Sequence, residues 1–287
     1  MSRRSRRPRA VTALLLAPTT AWYLLLLLAP LAILVIFSLG ERSPVGGYLP
    51  GLSLDNYARL PTRATAFANT FALAAVSTGL CALIGYPLAY YLATRAGSKR
   101  TILLVLVVLP FLTSFLIRTY AWFTILGANG LPAVAAALGV EPKPVLLNTH
   151  LAVFVGIVYN YLSLMVFPIY VSLERLDKRL LEASKDLGAG RWATFRQVTL
   201  PLSAPGLVSG GLLVFIPMMG EYIVPALLGG GKVFFVGNAL VDLFLQSRNW
   251  PFGSAMAIGL IVVVLISVTA YLRIAARGRV ERETSLL

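Results

Sequence analysis

Long hydrophobic runs, separated by short basic segments or by segments containing Gly and Pro, dominate this chain. A helix needs about 20 mostly apolar residues to cross roughly 30 Å of hydrocarbon. Six stretches reach that length, at about Thr20–Leu39, Phe67–Leu92, Thr101–Leu126, Leu151–Leu173, Pro205–Leu228 and Ala255–Ile274. The first follows an apolar lead-in that starts at Val11. Leu131–Leu138 is apolar but too short to cross, which predicts an interfacial or buried helical piece. The connector from Glu174 to Leu200 has no proline, and Leu176, Leu180, Leu181, Leu187, Trp192, Phe195 and Val198 recur among its charges at helical spacing. That pattern predicts one or two short amphipathic helices at the membrane surface. Turn signals fall at Gly46-Gly47, Pro50-Gly51 and Gly229–Gly231. The expected class is an all-α integral membrane protein with six transmembrane helices and no soluble domain.

Composition agrees with that class. Of 287 residues, 58% are hydrophobic and 13% charged, and mean hydropathy is +0.81. Soluble domains carry roughly 45–50% apolar and about 25% charged residues. An ordinary cytosolic enzyme, a secreted disulfide scaffold and a disordered regulator are therefore excluded. The net charge of +14 raises the question of nucleic acid, and the placement of the charge answers it. With the N-terminus inside, eighteen Lys and Arg fall on the inner segments and six on the outer ones, leaving Arg118 inside the third span. Basic residues in short loops collect on the cytoplasmic side. Both termini are thus expected to be cytoplasmic, and no nucleic-acid partner is needed. The basic N-terminus followed by leucines resembles an export signal. However, the run from Val11 to Leu39 exceeds the 7–15 residues of such a signal's apolar core, and no small-residue cleavage site ends it. An uncleaved first span is expected.

Catalytic constellations are scarce. The chain has no Gly-x-x-x-x-Gly-Lys-Ser/Thr phosphate cradle and no Gly-x-Ser-x-Gly elbow. One cysteine, Cys81, and one histidine, His150, cannot build a zinc site from His and Cys alone. His150 reads as an outer-loop residue without a role, and Cys81 as a packing residue of the second span. The expected chain is not an enzyme and binds no metal or cofactor.

One pattern does carry function. The inner connector reads Glu182-Ala183-Ser184, three residues, Gly188, nine residues, Val198, Thr199, Leu200-Pro201. It resembles the EAA motif of the membrane subunits of binding-protein-dependent ABC importers, which reads Glu-Ala-Ala, three residues, Gly, nine residues, Ile, one residue, Leu-Pro. Ser184 stands for Ala and Val198 for Ile. Such a motif must dock a rigid element into a cleft on an ATPase. Small Ala183 and Ser184 permit close approach, Gly188 permits a sharp turn into a second helix, and Glu182 supplies a polar contact. Pro201 is expected to end the preceding helix and return the chain stiffly to the bilayer. The likeness extends to spermidine/putrescine permeases through Leu109-Pro110-Phe111, Thr113 to Trp122, Leu200 to Gly206, Val214 to Pro217, Leu227 to Gly230, Gly237-Asn238 and Trp250 to Ala255.

This resemblance covers about Phe67 to Ile274 and implies a type I ABC importer permease fold. It implies a basic N-terminus at 1–19, a first span and outer loop at 20–66, and a permease domain at 67–274. The EAA loop then lies at 174–201 and a tail at 275–287. It also implies partners: a second, non-identical permease, two ATPase subunits carrying ATP and Mg, and a periplasmic or lipid-anchored substrate-binding protein. The implied location is the bacterial cytoplasmic membrane. ATP binding would draw two EAA loops together and turn the cavity outward, and hydrolysis would reset it. A polyamine is the cargo the resemblance implies. Sister permeases carry thiamine, iron, phosphonates or organic anions. A stand-alone secondary transporter would need intramembrane coupling residues and preferably an inverted repeat.

Ionisable residues inside spans are costly and usually face a cavity. Glu221 lies in the fifth span beside Tyr222 and four residues after Pro217, which is expected to kink the helix. A carboxylate beside aromatic rings suits a cationic amine through charge pairing and cation–π contact. Equally, Glu221 suits pairing with a neighbouring span or a place near the outer rim. Arg118 repels a polycation and is expected to snorkel or to pair with a carboxylate, with Glu221 one candidate. Tyr120, Trp122, Tyr159 and Tyr161 are candidates for lining a cavity, and interfacial aromatic belts also account for such rings. An anionic cargo would promote Arg118 and demote Glu221.

Overall fold

A computed structural model of the chain describes residues 7–231 and 234–284, with side chains described for 14–231 and 234–276. Arg3, Arg4, Arg6 and Lys232, counted above for topology, lie outside the described residues, as do residues 285–287 of the tail. Apolar runs become helices because a backbone N–H or C=O facing hydrocarbon has no water to bond. In chain order, α1 (Arg7–Ser38) leads to a small hairpin of β1 (Glu41–Arg42) and β2 (Tyr48–Leu49), then to α2 (Asp55–Ala58) and α3 (Ala64–Thr94). Next come α4 (Arg100–Leu112), α5 (Phe115–Leu126), α6 (Leu131–Ala137) and α7 (His150–Glu174). The loop that resembles the EAA motif forms α8 (Lys178–Asp186) and α9 (Arg191–Thr194). A π-helical turn at Phe195–Thr199 joins α9 to α10 (Leu200–Met219). The chain closes with α11 (Ile223–Leu228), α12 (Val236–Val241), a second π turn at Asp242–Gln246, and α13 (Trp250–Thr284).

Among the described residues, Leu14–Ser38, Leu60–Thr94, His150–Glu174, Arg191–Met219 and Trp250–Ala276 are long and apolar enough to cross a membrane. The third expected span is not one helix. Gly97–Leu112 and Phe115–Ala137 meet at a 91° bend, and only as a pair do they make the sixth span. Pro110 cannot donate to the turn before it, and Thr113, in extended backbone, turns both its N–H and its Oγ1 onto the Pro110 carbonyl. The helix therefore stops, and Ser114 restarts it by accepting from Arg118 N–H.

The fifth span also departs from expectation, at both ends. It begins at Arg191 rather than Pro205, because Pro201 does not end the preceding helix. In the π turn, Leu200 N–H bonds the Phe195 carbonyl five residues back, and this wider turn accommodates the proline ring without a break. At the other end the helix stops at Met219 and restarts at Ile223, so Glu221 sits in a break rather than inside a helix.

The chain divides into two compact units, Met1–Arg63 with Leu240–Ile261, and Ala64–Ala239 with Val262–Leu287. In the first, Phe37 stacks on Tyr48 at 4.6 Å and on Trp250 at 6.0 Å. Asn56 Nδ2 donates to the carbonyls of Ser38 and Gly40, and Arg42 Nη2 to that of Ser247. Gly46 and Gly47, with φ of 89° and 96°, make the turn that the Gly-Gly signal predicts.

The second unit holds every candidate site residue. Its core is α3 and α10 packed on α7, with Leu92, Ile157, Met165, Ile169, Val214 and Met218 sealed between them. Cys81 is fully buried in α3, as its packing role requires. Small residues let these helices approach closely, the usual device where hydrocarbon supplies no hydrophobic drive between helices. A methyl on Gly206 would lie 2.4 Å from the Pro168 carbonyl oxygen, and one on Gly210 would lie 2.9 Å from Met165 Sδ.

Candidate functional site

The loop from Glu174 to Leu200 is a helical hairpin. Asp177 starts α8 by accepting Arg179 N–H on its carboxylate at 2.9 Å. The helix ends with Gly188 in left-handed backbone, φ 83°, while Gly188 N–H bonds Lys185 O and Ala189 N–H bonds Ser184 O. This is the glycine-terminated helix end in which an αL residue satisfies the last carbonyls. A side chain at 188 would meet open space, so the requirement for glycine is conformational and not steric.

Ser184, which replaces the motif's second alanine, bonds through Oγ to Thr194 Oγ1 at 3.2 Å and ties α8 to α9. Glu182 and Ala183 are exposed, and Val198 and Pro201 are half-buried. Leu187 (89% exposed) and Trp192 (73%) stand out from the hairpin on either side of Gly188. Phe195, stacked on Trp192 at 5.5 Å, packs edge-on against Tyr86 and Tyr90 of α3 at 5.7 and 6.0 Å, and Tyr86 OH bonds Ser203 Oγ at 2.7 Å. The hairpin is therefore anchored to the membrane helices and apolar at its free tip. The spacing of the motif identifies the hairpin, but nothing in the spacing points to the Phe195 anchor.

A second group of polar residues lies where the two helix breaks meet α7. Glu221 is buried (7% exposed), and each carboxylate oxygen has a donor. Tyr161 OH donates to Oε2 at 2.6 Å, while the N–H groups of Ile223 and Val224 donate to Oε1 at 2.8 and 3.2 Å. The carboxylate thus caps α11 and locks the break to α7. Phe115 packs edge-on to Tyr161 at 6.1 Å, and the Arg118 guanidinium lies 5.8 Å from the Phe115 ring centre.

The candidate Arg118–Glu221 ion pair is absent: no carboxylate among the described residues comes within 4.0 Å of Arg118. Instead Arg118, also buried, donates from Nη1 to the Asn160 carbonyl, while its Nε has no partner. Each charge has other partners: Tyr161 OH and the α11 N–H groups meet Glu221, while the Asn160 carbonyl and the Phe115 ring meet Arg118. Asn160 Nδ2 bonds Thr119 Oγ1 and Gly156 O, joining α5 to α7. Neither Asn160 nor Thr119 stands out in the sequence as a site residue, although an amide inside an apolar run was the available signal.

Of the aromatic candidates, only Tyr161 joins this cluster. Trp122 and Tyr159 form their own edge-on pair at 5.5 Å, while Tyr120 and Tyr222 are exposed. A separate groove of about 770 Å³, between the end of α7 and the first turns of α10, is lined by Pro168, Val171, Arg175, Leu180, Leu202 and Pro205 and does not reach Glu221.

Comparison with known proteins fits this arrangement. Residues 82–280 match the family described as "Binding-protein-dependent transport system inner membrane component". The chain is 41% identical over 257 residues to the spermidine/putrescine transport system permease protein PotB of Haemophilus influenzae, covering 88% of this chain and 90% of that one. Against PotB of Escherichia coli K12 it is 38% identical, covering 88% and 93%. Among solved structures it resembles a bacterial ABC transporter involved in the import of the acidic polysaccharide alginate. That likeness has a TM-score of 0.70 at 19% identity and covers 95% of this chain and 96% of that one, a likeness of fold. With the family matched across the helical hairpin and most of the spans, the chain belongs to the binding-protein-dependent transport system inner membrane components, as a multi-pass permease subunit of an ABC transporter.

Proposed function

We propose that this chain imports polyamines as one permease of an ATP-driven assembly, with both termini in the cytoplasm. The observation that carries the cargo is near full-length similarity, at 41% identity, to a spermidine/putrescine permease. The orientation is supported by the basic residues of the inner loops, which include the hairpin. In this reading the hairpin is the handle on which an ATPase pulls. Leu187 and Trp192 enter its cleft, Gly188 sets the angle between α8 and α9, and the Phe195 anchor passes the movement to α3 and α10. ATP and Mg reside on two separate ATPase chains, a non-identical permease completes the pathway, and a soluble or lipid-anchored binding protein delivers the cargo.

Glu221 is the residue of this chain assigned to the cationic cargo. Its charge is met by hydroxyl and backbone dipoles with no cation within 4.0 Å among the described residues, so an ammonium group would find an uncompensated carboxylate. Tyr161 stands beside it, held by its hydroxyl and packed edge-on to Phe115. Tyr222, Tyr120, Trp122 and Tyr159 are assigned to the walls of the pathway. An anionic cargo is the second reading, favoured by the unpaired Nε of buried Arg118.

The assembly is tested by affinity purification of the tagged chain from mild detergent. A second permease and an ATPase chain are expected to co-elute in stable proportion. Elution as a lone chain or as a homo-oligomer, still folded, would contradict the importer assembly.

A further inference from the structure

Where α4 begins and α7 ends beside the hairpin, three side chains form a group that neither the hairpin nor the Glu221 cluster uses. Arg100, the first residue of α4, donates through Nε to the Tyr170 hydroxyl and through Nη2 to the Glu174 carboxylate. Its guanidinium also lies 5.0 Å from the centre of the Tyr170 ring. Glu174 is the last residue of α7, and three residues later Asp177 starts α8. The guanidinium therefore grips the root of the hairpin with two donors and a stacked face, a fixed geometry that lysine cannot reproduce.

The partner it grips for is α4. No side chain of α4 is buried, and its other polar tie to α7 is Ser163 Oγ donating to the Val107 carbonyl at 2.7 Å. Beyond Leu112 the 91° bend leads to α5, which carries Arg118 and Thr119 of the polar cluster. The Arg100 and Glu174 side chains are 35% and 43% exposed, so the pair adds little to folding stability. A chain this rich in apolar side chains has no need of such a pair merely to dock a helix.

We propose that Arg100 is a coupling latch, a positioning residue that makes the broken span α4–α5 follow α7 when the hairpin is pulled. This rests on the proposed role of the hairpin, since without an ATPase beneath it the latch has nothing to transmit.

The test uses the complete transporter in proteoliposomes and reads two ratios: ATP hydrolysed per spermidine taken up, and hydrolysis with loaded binding protein over basal hydrolysis. Arg100→Gln and Glu174→Gln are each expected to worsen both ratios by about two- to five-fold at unchanged assembly. The double variant should be no worse than either single, and the exchange Arg100→Glu with Glu174→Arg should recover part of the loss. Tyr170→Phe keeps the ring and should show a smaller effect in the same direction. It decides the matter if Arg100→Gln fails to assemble. Unchanged ratios in the variants that assemble, or additive losses in the double variant, overturn the latch. An unaltered transporter that responds to its loaded binding protein but moves no spermidine refutes the cargo instead, and the second ratio still judges the latch.

Discussion

Replacing Gly188 with leucine is expected to cut both uptake and binding-protein-stimulated ATP hydrolysis by roughly five- to thirty-fold, while the chain still inserts at its normal level. The backbone at Gly188 is left-handed, with φ of 83°, and a leucine there costs about 1–2 kcal/mol, which lowers the equilibrium ratio of this turn to its competing conformers by that factor. A β-carbon at 188 would touch no other atom of this chain, so within the chain the cost is conformational. Asparagine tolerates the left-handed region, so Gly188→Asn should keep most of the activity. Equal loss in both variants would show that the ATPase cleft excludes any side chain at this point. Normal uptake by Gly188→Leu would remove the coupling assignment altogether.

The second large effect is expected at Glu221. Glutamine can still accept the α11 N–H groups on its oxygen, and its amide can donate to the Tyr161 hydroxyl in place of the bond that the carboxylate receives. Glu221→Gln therefore keeps the break and deletes only the charge. Losing one charge-assisted contact to an ammonium group is worth about 1.5–3 kcal/mol, so polyamine uptake should fall roughly ten- to a hundred-fold. Assembly and basal ATP hydrolysis should persist. Glu221→Ala should additionally destabilise the complex, because it removes the cap from α11, worth about 1 kcal/mol, and strands the Tyr161 hydroxyl. Full polyamine transport by Glu221→Gln would reduce Glu221 to a helix cap.

Hydropathy was sufficient to find the apolar runs, because crossing hydrocarbon depends on length and composition, which a sequence displays directly. The EAA-like spacing located the hairpin and its glycine, because a helix, a left-handed turn and a second helix require fixed offsets. What the sequence concealed was direction. Hydropathy scores Thr101–Leu126 as one run because Thr113 and Ser114 are two residues among many, yet Thr113 bonds back to the Pro110 carbonyl, Ser114 opens the next helix, and the chain turns through 91°. Pro201 read as a stop because the π turn that accommodates it leaves no mark in composition. Glu221 is one candidate partner for Arg118 because opposite charges in neighbouring spans attract, but the backbone N–H groups that meet its carboxylate are invisible in a sequence. Arg100 looked like one more inner-loop charge, since its partners lie 70 and more residues away.

Transport itself is the most direct measurement. The chain, reconstituted with its partner permease, ATPase and binding protein, is supplied with radiolabelled spermidine with and without ATP. Saturable, ATP-dependent uptake is expected, inhibited by excess putrescine and unaffected by excess of an organic anion. ATP-dependent uptake of an organic anion or phosphonate, with none of spermidine, would contradict the polyamine assignment and move the site from Glu221 to Arg118.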